Sequence, residues 1–132
     1  MHSDLRLAVR CDSSAPAAVR RALAEHAPLG WPVGDAMLVA SELVSNAVRH
    51  SGGRTDDFVE VEVGFTREAL RLRISDPGTS SSKVKLRPAD VPFGGLGLRL
   101  VEQLTSCWGA ERRSDGRQVV WAEIPLQEAP LT

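Results

Sequence analysis

The segment from residue 35 to residue 50, DAMLVASELVSNAVRH, restricts the fold more than any other part of the chain. It contains neither Gly nor Pro, and its apolar residues recur at helical spacing on one broad face. These residues are Met37, Ala40, Leu43, Val44, Ala47 and Val48. The pattern predicts an amphipathic helix with one face buried. Gly52 and Gly53 follow, where a helix commonly ends because Gly readily adopts the left-handed conformation.

The remaining elements are predicted from the same helical spacing and from period-two alternation. Strands are predicted at residues 4 to 11, from about Phe58 to Phe65, from about Ala69 to Ser75 and from Val119 to Leu126. Helices are predicted from Ser13 or Ser14, with Pro16 in the first turn, to near Pro28, and from Leu96 to about Trp108, with Gly109 after the end. Residues 76 to 95 form a long loop rich in Gly, Pro and Ser. Compact domains usually reserve such a loop for function, and we interpret it as a mobile lid.

The composition indicates a single globular domain over residues 1–132, with 42% apolar and 25% charged residues. Sixteen basic and 17 acidic side chains leave a formal charge of −1, so nucleic acid is not expected as a partner. No apolar stretch approaches the roughly 20 residues of a membrane span, and the start MHSDLRLAV lacks a secretory pattern. We therefore expect a cytoplasmic protein without membrane contact. Cys11 and Cys107 are expected to be buried thiols, with a disulfide as the alternative.

The predicted helix at 35–50 carries a polar stripe. Glu42, Asn46 and His50 are spaced i, i+4 and i+8, so they line one side, turned away from most of the apolar face. Such a stripe can face a ligand. Three solvated polar residues on an amphipathic helix would give the same pattern.

Two loop segments offer further candidate ligand contacts. Asp76-Pro77-Gly78 follows a predicted buried strand, which places a carboxylate at a strand end, although the same tripeptide often forms only a turn. The run from Phe93 to Leu98, FGGLGL, precedes a predicted helix whose N-terminal N–H groups favour an anion such as phosphate. The run matches neither the Walker nor the Rossmann pattern, so a flexible glycine-rich loop is the alternative.

The order of these segments resembles the GHKL ATPase superfamily. ELVSNAVRH, a hairpin, ISDPG, a long lid and GGLGLRLVEQL follow one another and cover nearly the whole chain. The resemblance implies the Bergerat fold, an α/β (α+β) two-layer sandwich. Its mixed, mostly antiparallel sheet is covered on one face by about three helices, with an ATP lid. Within the superfamily the chain is most similar to small anti-sigma-factor serine/threonine kinases. It is less similar to sensor histidine kinases, whose dimerising helices would have to precede this domain.

The resemblance also implies roles for individual residues. Glu42 is the expected general base, and Asn46 the expected side-chain oxygen ligand of Mg²⁺. Asp76 is expected to accept a hydrogen bond from the adenine amino group, and Gly78 to let the backbone pass close to the base. The residues expected to bind the phosphates are Gly94, Gly95, Leu96, Gly97 and Leu98.

Some positions have open roles or depart from the family pattern. His50 either bonds to the helix end or contacts the ligand, and Lys83 and Lys85 either reach the phosphates or are solvent-exposed. Ser80 replaces a second glycine, and Val119 replaces a threonine that often precedes Val-Trp. Loss of one hydroxyl contact predicts ATP binding weakened by roughly two- to tenfold.

The resemblance finally implies a function, with ATP and Mg²⁺ as cofactors. The expected protein is a serine/threonine kinase that phosphorylates an anti-sigma-factor antagonist, sequesters a sigma factor and forms a homodimer. The alternative is a nucleotide-binding interaction module that captures a regulatory partner without phosphorylating it. Only the kinase would leave phosphate on a partner hydroxyl.

Overall fold

A computed structural model of the chain describes residues 4–27, 33–50, 57–76, 95–114 and 116–125, without the side chains of His50 and of residues 95–98. The elements in chain order are β1 (Leu5–Arg10), α1 (Ala15–His26), α2 (Val33–His50), β2 (Phe58–Phe65), β3 (Ala69–Asp76), α3 (Gly95–Leu104), β4 (Cys107–Arg112) and β5 (Gln118–Pro125). The predicted amphipathic helix is confirmed as α2, and the two alternating segments after it are confirmed as β2 and β3.

The five described strands form one sheet in the order β1-β2-β3-β5-β4. We expected a mixed, mostly antiparallel sheet, and every pairing among the described strands is antiparallel. With three helices as the second layer, the expected α+β architecture is confirmed. In the connection between β4 and β5, Gly116 has a positive φ of 90°, which glycine adopts without a steric cost.

The core lies between the sheet and the helices. Helix α2 contacts β2, β3 and β5, while α1 contacts β1 and α2, and α3 contacts α2. Val61, Ile74 and Val120 form a cross-strand row in one buried cluster with Leu43 and Val44 of α2. Each such side chain contributes roughly 1.5–3 kcal/mol when fully buried. Helix α2 is therefore fixed against the middle of the sheet.

The predicted helix from Leu96 to Trp108 is too long. Helix α3 ends at Leu104, where the Thr105 N–H and hydroxyl both donate to the Val101 carbonyl, at 3.0 and 2.7 Å. The Ser106 N–H then bonds to the Glu123 carbonyl at 2.8 Å, and β4 begins at the next residue. Trp108 belongs to this strand and packs half-buried against the core. The helix was predicted too long because an apolar residue at this position fits the helical spacing as well as the strand spacing.

Gly109 lies inside β4 rather than after a helix. It is the register partner of Trp121 on β5. A Cβ at this position would lie 2.7 Å from Cζ2 of the Trp121 indole, so only glycine leaves room for that ring. The glycine that we interpreted as a helix end is instead required for close packing on the sheet.

The sheet face opposite the helices carries charged side chains. Cross-strand ion pairs join Arg6 to Glu62 at 3.6 Å and Arg71 to Glu123 at 3.4 Å, and Arg117, just before β5, pairs with Glu60 of β2 at 3.6 Å. Pairs this exposed contribute at most about 1 kcal/mol each. They keep this face polar without determining the fold.

The two cysteines differ in burial. Cys11 is buried as predicted, but the prediction that Cys107 is buried was wrong. Cys107 begins β4, at the edge of the sheet, on the face away from the helices. Its Sγ donates to Oε2 of Glu123 at 3.3 Å. This hydrogen bond, with a smaller contribution from partial desolvation and from the charge of Glu123, raises the pKa of the Cys107 thiol.

We expect Glu123→Gln to accelerate alkylation of Cys107 by iodoacetamide at pH 8 by about two- to tenfold, because the thiolate is the reactive form. Removing the carboxylate lowers the thiol pKa toward its ordinary value, so more thiolate is present at that pH. Mass spectrometry of the labelled peptide measures the rate. Glu62→Gln, which removes a different carboxylate from the same face, should leave the rate unchanged. An equal rate in all three proteins would contradict this explanation.

Candidate functional site

The polar stripe predicted on α2 is present, and its first two residues differ in burial. Glu42 is partly exposed, whereas Asn46, one turn further along, is only 2% exposed. Helix α2 packs against β3 and α3, the elements that carry the other predicted ligand contacts. A partly exposed carboxylate thus stands beside a buried carboxamide on a well-supported helix.

The carboxamide of Asn46 is only half satisfied. Its Oδ1 accepts a hydrogen bond from Nη2 of Arg49 at 2.5 Å, while its Nδ2 has no hydrogen-bond partner among the described residues. A buried amide nitrogen without a hydrogen-bond acceptor is uncommon, and burying it costs about 1–3 kcal/mol. The hydrogen bond turns Oδ1 toward the exposed end of Arg49. Asn46 therefore directs its oxygen, and not its unpartnered Nδ2, toward a residue that lines the surface groove described below.

The donor set suits Mg²⁺ bound to phosphates better than a metal held by protein alone. Among the described residues, no group of three or more His, Cys, Asp or Glu side chains could hold a metal ion. Mg²⁺ prefers oxygen ligands and usually takes one or two from protein, with phosphates and water supplying the rest. The Oδ1 of Asn46 fits that requirement.

A groove of about 450 Å³ lies between the β1–α1 turn and α2. Its walls are Asp12, Ser13, Pro16, Glu42, Ser45, Val48 and Arg49. The carboxylate of Glu42 therefore borders an open space.

Asp12 keeps the far wall of this groove anionic. Its carboxylate accepts hydrogen bonds from the hydroxyl of Ser14 and from the Ser14 N–H, the latter at 2.8 Å. These bonds, first the hydroxyl and then the N–H, lower the pKa of Asp12, with a smaller contribution from Arg10. Ser14 is the N-cap residue of α1, as predicted, but its hydroxyl bonds to Asp12 and makes no cap hydrogen bond.

Asp76 lies at the end of β3, as predicted, and is only 6% exposed. Its register partner on β5 is Gln118, which is also 6% exposed. Because side chains alternate along a strand, both residues share the helix-facing side with Ile74 and Val120. Two buried polar side chains thus lie at one end of an otherwise apolar cross-strand surface.

The sequence analysis did not identify Gln118 as a candidate site residue, because it placed Val119 at the position of the family threonine. Val119 faces the other side of the sheet and is fully buried outside the main core. The departure at Val119 therefore does not bear on the residue opposite Asp76. Period-two counting back from Val120 would have found Gln118.

Several predicted site residues lie outside the described part of the chain. They are Gly78, Ser80, Lys83, Lys85 and Gly94, together with the side chains of His50, Leu96 and Leu98. The backbone of Gly95 to Leu98 is described and forms the first turn of α3, so the predicted helix after the glycine run is confirmed. The structure brings Glu42 and Asn46 together on α2, which packs on the strand ending in Asp76.

Comparison with known proteins matches residues 6–124 to the family model of the histidine kinase-like ATPase domain. The match covers most of the chain, including α2, β3, α3 and β5. The chain belongs to this family. The resemblance stated from the sequence motifs is thereby confirmed, and ATP is the nucleotide that the family name specifies.

Curated relatives of this histidine kinase-like ATPase domain include serine-protein kinases RsbW. The protein from Listeria monocytogenes serovar 1/2a is 35% identical over 82 residues, covering 53% of this chain and 52% of the relative. The protein from Listeria innocua is 34% identical over the same length. The chain thus spans about half the length of the curated relatives it matches.

Solved structures show the same fold at lower identity. The RsbU and RsbW domains of a Mycobacterium tuberculosis protein superpose with a TM-score of 0.67 and 20% identity, covering 97% of this chain and 34% of that one. A chain of the SiaB–SiaC complex of Pseudomonas aeruginosa superposes with a TM-score of 0.65 and 15% identity, covering 92% of this chain and 89% of that one. Both similarities establish the architecture.

None of the described helices combines the length and apolar character required to cross a bilayer.

Proposed function

We propose that the chain binds Mg-ATP and transfers the γ-phosphate to a serine or threonine hydroxyl of a small anti-sigma-factor antagonist. The observation that carries the proposal is the arrangement on α2. Glu42 borders an open groove, one helical turn from the buried Asn46, whose Oδ1 accepts a hydrogen bond from the groove-lining Arg49. Membership of the histidine kinase-like ATPase family and the similarity to serine-protein kinases support the same function.

Glu42 would act as the general base in this reaction. The attacking hydroxyl oxygen forms a bond to the γ-phosphorus, the bond from that phosphorus to the bridging oxygen breaks, and ADP leaves. The hydroxyl proton passes to the Glu42 carboxylate, which requires a substrate hydroxyl within hydrogen-bond reach in the groove. When bound, Mg²⁺ would neutralise part of the negative charge of the phosphates. Asn46 would hold the cation through Oδ1.

The nucleotide base would lie at the polar end of β3 and β5. Asp76 would accept a hydrogen bond from the adenine amino group, and Gln118, its register partner, would offer both a donor and an acceptor nearby. The phosphates would be bound by the start of α3, residues Gly95 to Leu98, and by the loop before it. The N-terminal N–H groups of a helix favour phosphate.

The regulatory part of the proposal concerns two partners. The chain would sequester a sigma factor as a cytoplasmic homodimer, and phosphorylation would release the antagonist. A phosphate adds close to two negative charges, which repel neighbouring carboxylates and desolvate poorly at an interface. The carboxylates of Asp12 and Glu42 at the groove would contribute to that repulsion.

The experiment that tests this function is transfer of labelled phosphate. The protein is incubated with ATP labelled at the γ-position, Mg²⁺ and small antagonist-type proteins from the same genome, and phosphoserine or phosphothreonine is mapped by mass spectrometry. We expect stoichiometric label on one antagonist hydroxyl. Tight antagonist binding in the presence of ATP without any label would favour the non-catalytic interaction module.

Asp76→Asn should reduce the preference for ATP over GTP and lower the affinity for ATP. A carboxylate can only accept a hydrogen bond, whereas an amide can rotate to present either a donor or an acceptor to the base. Calorimetric titration with both nucleotides measures the ratio of the two dissociation constants. Asp57→Asn, which changes a partly exposed aspartate just before β2, serves as the control. A preference as strong in Asp76→Asn as in the parent would place the base elsewhere.

A further inference from the structure

Arg49 contacts the proposed magnesium ligand directly. It lies on α2 three residues after Asn46, and its Nη2 donates to Oδ1 of Asn46 at 2.5 Å. Arg49 is itself exposed and lines the groove with Glu42. The guanidinium thus spans from a buried oxygen to the open groove.

The guanidinium and a magnesium ion require the same atom. A carboxamide oxygen has two lone pairs, but Mg²⁺ coordinates at about 2.1 Å. With Nη2 at 2.5 Å from the same oxygen, the two cations would lie within about 5 Å of each other, where like charges repel strongly. Both cannot be held at Oδ1 without that repulsion.

The groove offers the guanidinium another place. Asp12 and Glu42 line the same groove as Arg49, so two carboxylates lie on that surface beside the guanidinium. A guanidinium that leaves Asn46 can therefore remain near negative charge. Displacement exchanges one partner for another and does not leave the charge isolated.

We propose that Arg49 is a positioning residue that competes with Mg²⁺ for Oδ1 of Asn46, so that cation binding moves the guanidinium from Asn46 toward the carboxylates of Asp12 and Glu42 along the groove. The inference rests on the proposed function, since it requires Asn46 to be the magnesium ligand. Its consequence is that the groove changes charge and shape only when Mg-nucleotide is bound. Arg49 thereby couples nucleotide occupancy to the surface next to Glu42.

The test is the Mg²⁺ dependence of ATP binding, measured by calorimetry at a series of free Mg²⁺ concentrations and in EDTA. Arg49→Met keeps an unbranched apolar chain but removes charge and donors. Arg21→Met is the matched control, because Arg21 is an exposed arginine on α1. Removing the competitor should lower the Mg²⁺ concentration at half-maximal enhancement by about three- to thirtyfold, the size expected of a partly exposed charged hydrogen bond. Arg21→Met should behave as the parent.

The outcomes separate this inference from the proposed function. An unchanged or higher Mg²⁺ midpoint in Arg49→Met, with ATP still bound by the parent, would overturn the role of Arg49 and leave the function standing. A uniform loss of ATP affinity at every Mg²⁺ concentration would likewise overturn it, since Arg49 would then bind phosphate without competing. If the parent binds no ATP at any Mg²⁺ concentration, the proposed function and this inference both fail.

Discussion

Glu42→Gln is expected to lower the rate of phosphate transfer to the antagonist by about 10²- to 10⁴-fold, the usual contribution of a positioned general base. The affinity for Mg-ATP should change little, because Glu42 borders the groove and Asn46 is the expected cation ligand. Single-turnover transfer and calorimetric titration measure the two quantities separately. The amide preserves size but cannot take up the hydroxyl proton, and it also removes the negative charge.

A matched control for this substitution is Glu25→Gln, which removes an exposed carboxylate from α1. It should transfer phosphate at the parental rate. If Glu42→Gln loses affinity and rate by the same factor, Glu42 binds the metal or supports the structure, and its role as base is wrong.

Asn46→Ala is expected to lower the affinity for ATP by about 10- to 100-fold in the presence of Mg²⁺ and to change it little in EDTA. The cation loses its side-chain oxygen, while the nucleotide contacts that do not pass through the cation remain. Asn46→Asp retains an oxygen at the same position and should keep most of the Mg²⁺ enhancement. Equal affinity in the alanine variant and the parent, at every Mg²⁺ concentration, would remove Asn46 from the site.

Thermal unfolding distinguishes a binding effect from a folding defect in Asn46→Ala. The Nδ2 of Asn46 is buried without a partner among the described residues, so its removal also eliminates an unsatisfied donor. The free energy of unfolding should therefore change by no more than about 1 kcal/mol, unlike loss of a fully satisfied buried amide. A well-folded variant with weak Mg-ATP binding would assign the effect to the site.

Local sequence patterns were sufficient where a single periodicity decided the element. Residues 35–50 of helix α2 contain no Gly or Pro and carry a continuous apolar stripe, so both the helix and the adjacency of Glu42 and Asn46 followed from spacing. The alternation in β2 and β3 likewise fixed which side chains face the core. These elements also carry the motifs on which the family resemblance depended.

Patterns failed where tertiary contacts selected between two periodicities. Trp108 is apolar at a position compatible with helix or strand, and pairing of β4 with β5 decided for the strand. Gly109 looked like a helix end but is needed for the Trp121 ring. Gln118 was overlooked because only the register with β3 shows which residue of β5 lies opposite Asp76.

The contact between Arg49 and Asn46 could not be predicted from spacing alone. Residues three apart on a helix are neighbours, but many such pairs point into solvent. Burial of Asn46 and the direction of its oxygen make this contact significant, and both depend on how α2 packs against β3 and α3.

We propose above that the C-terminal half of α2 and the polar ends of β3 and β5 bind Mg-ATP. Calorimetric titration of ATP into the unmodified chain, with Mg²⁺ and with EDTA, tests it most directly. We expect one nucleotide per chain, tighter binding with Mg²⁺ than with EDTA, and weaker binding of GTP than of ATP. Absence of ATP binding under both conditions, or binding that neither Mg²⁺ nor the base changes, would contradict it.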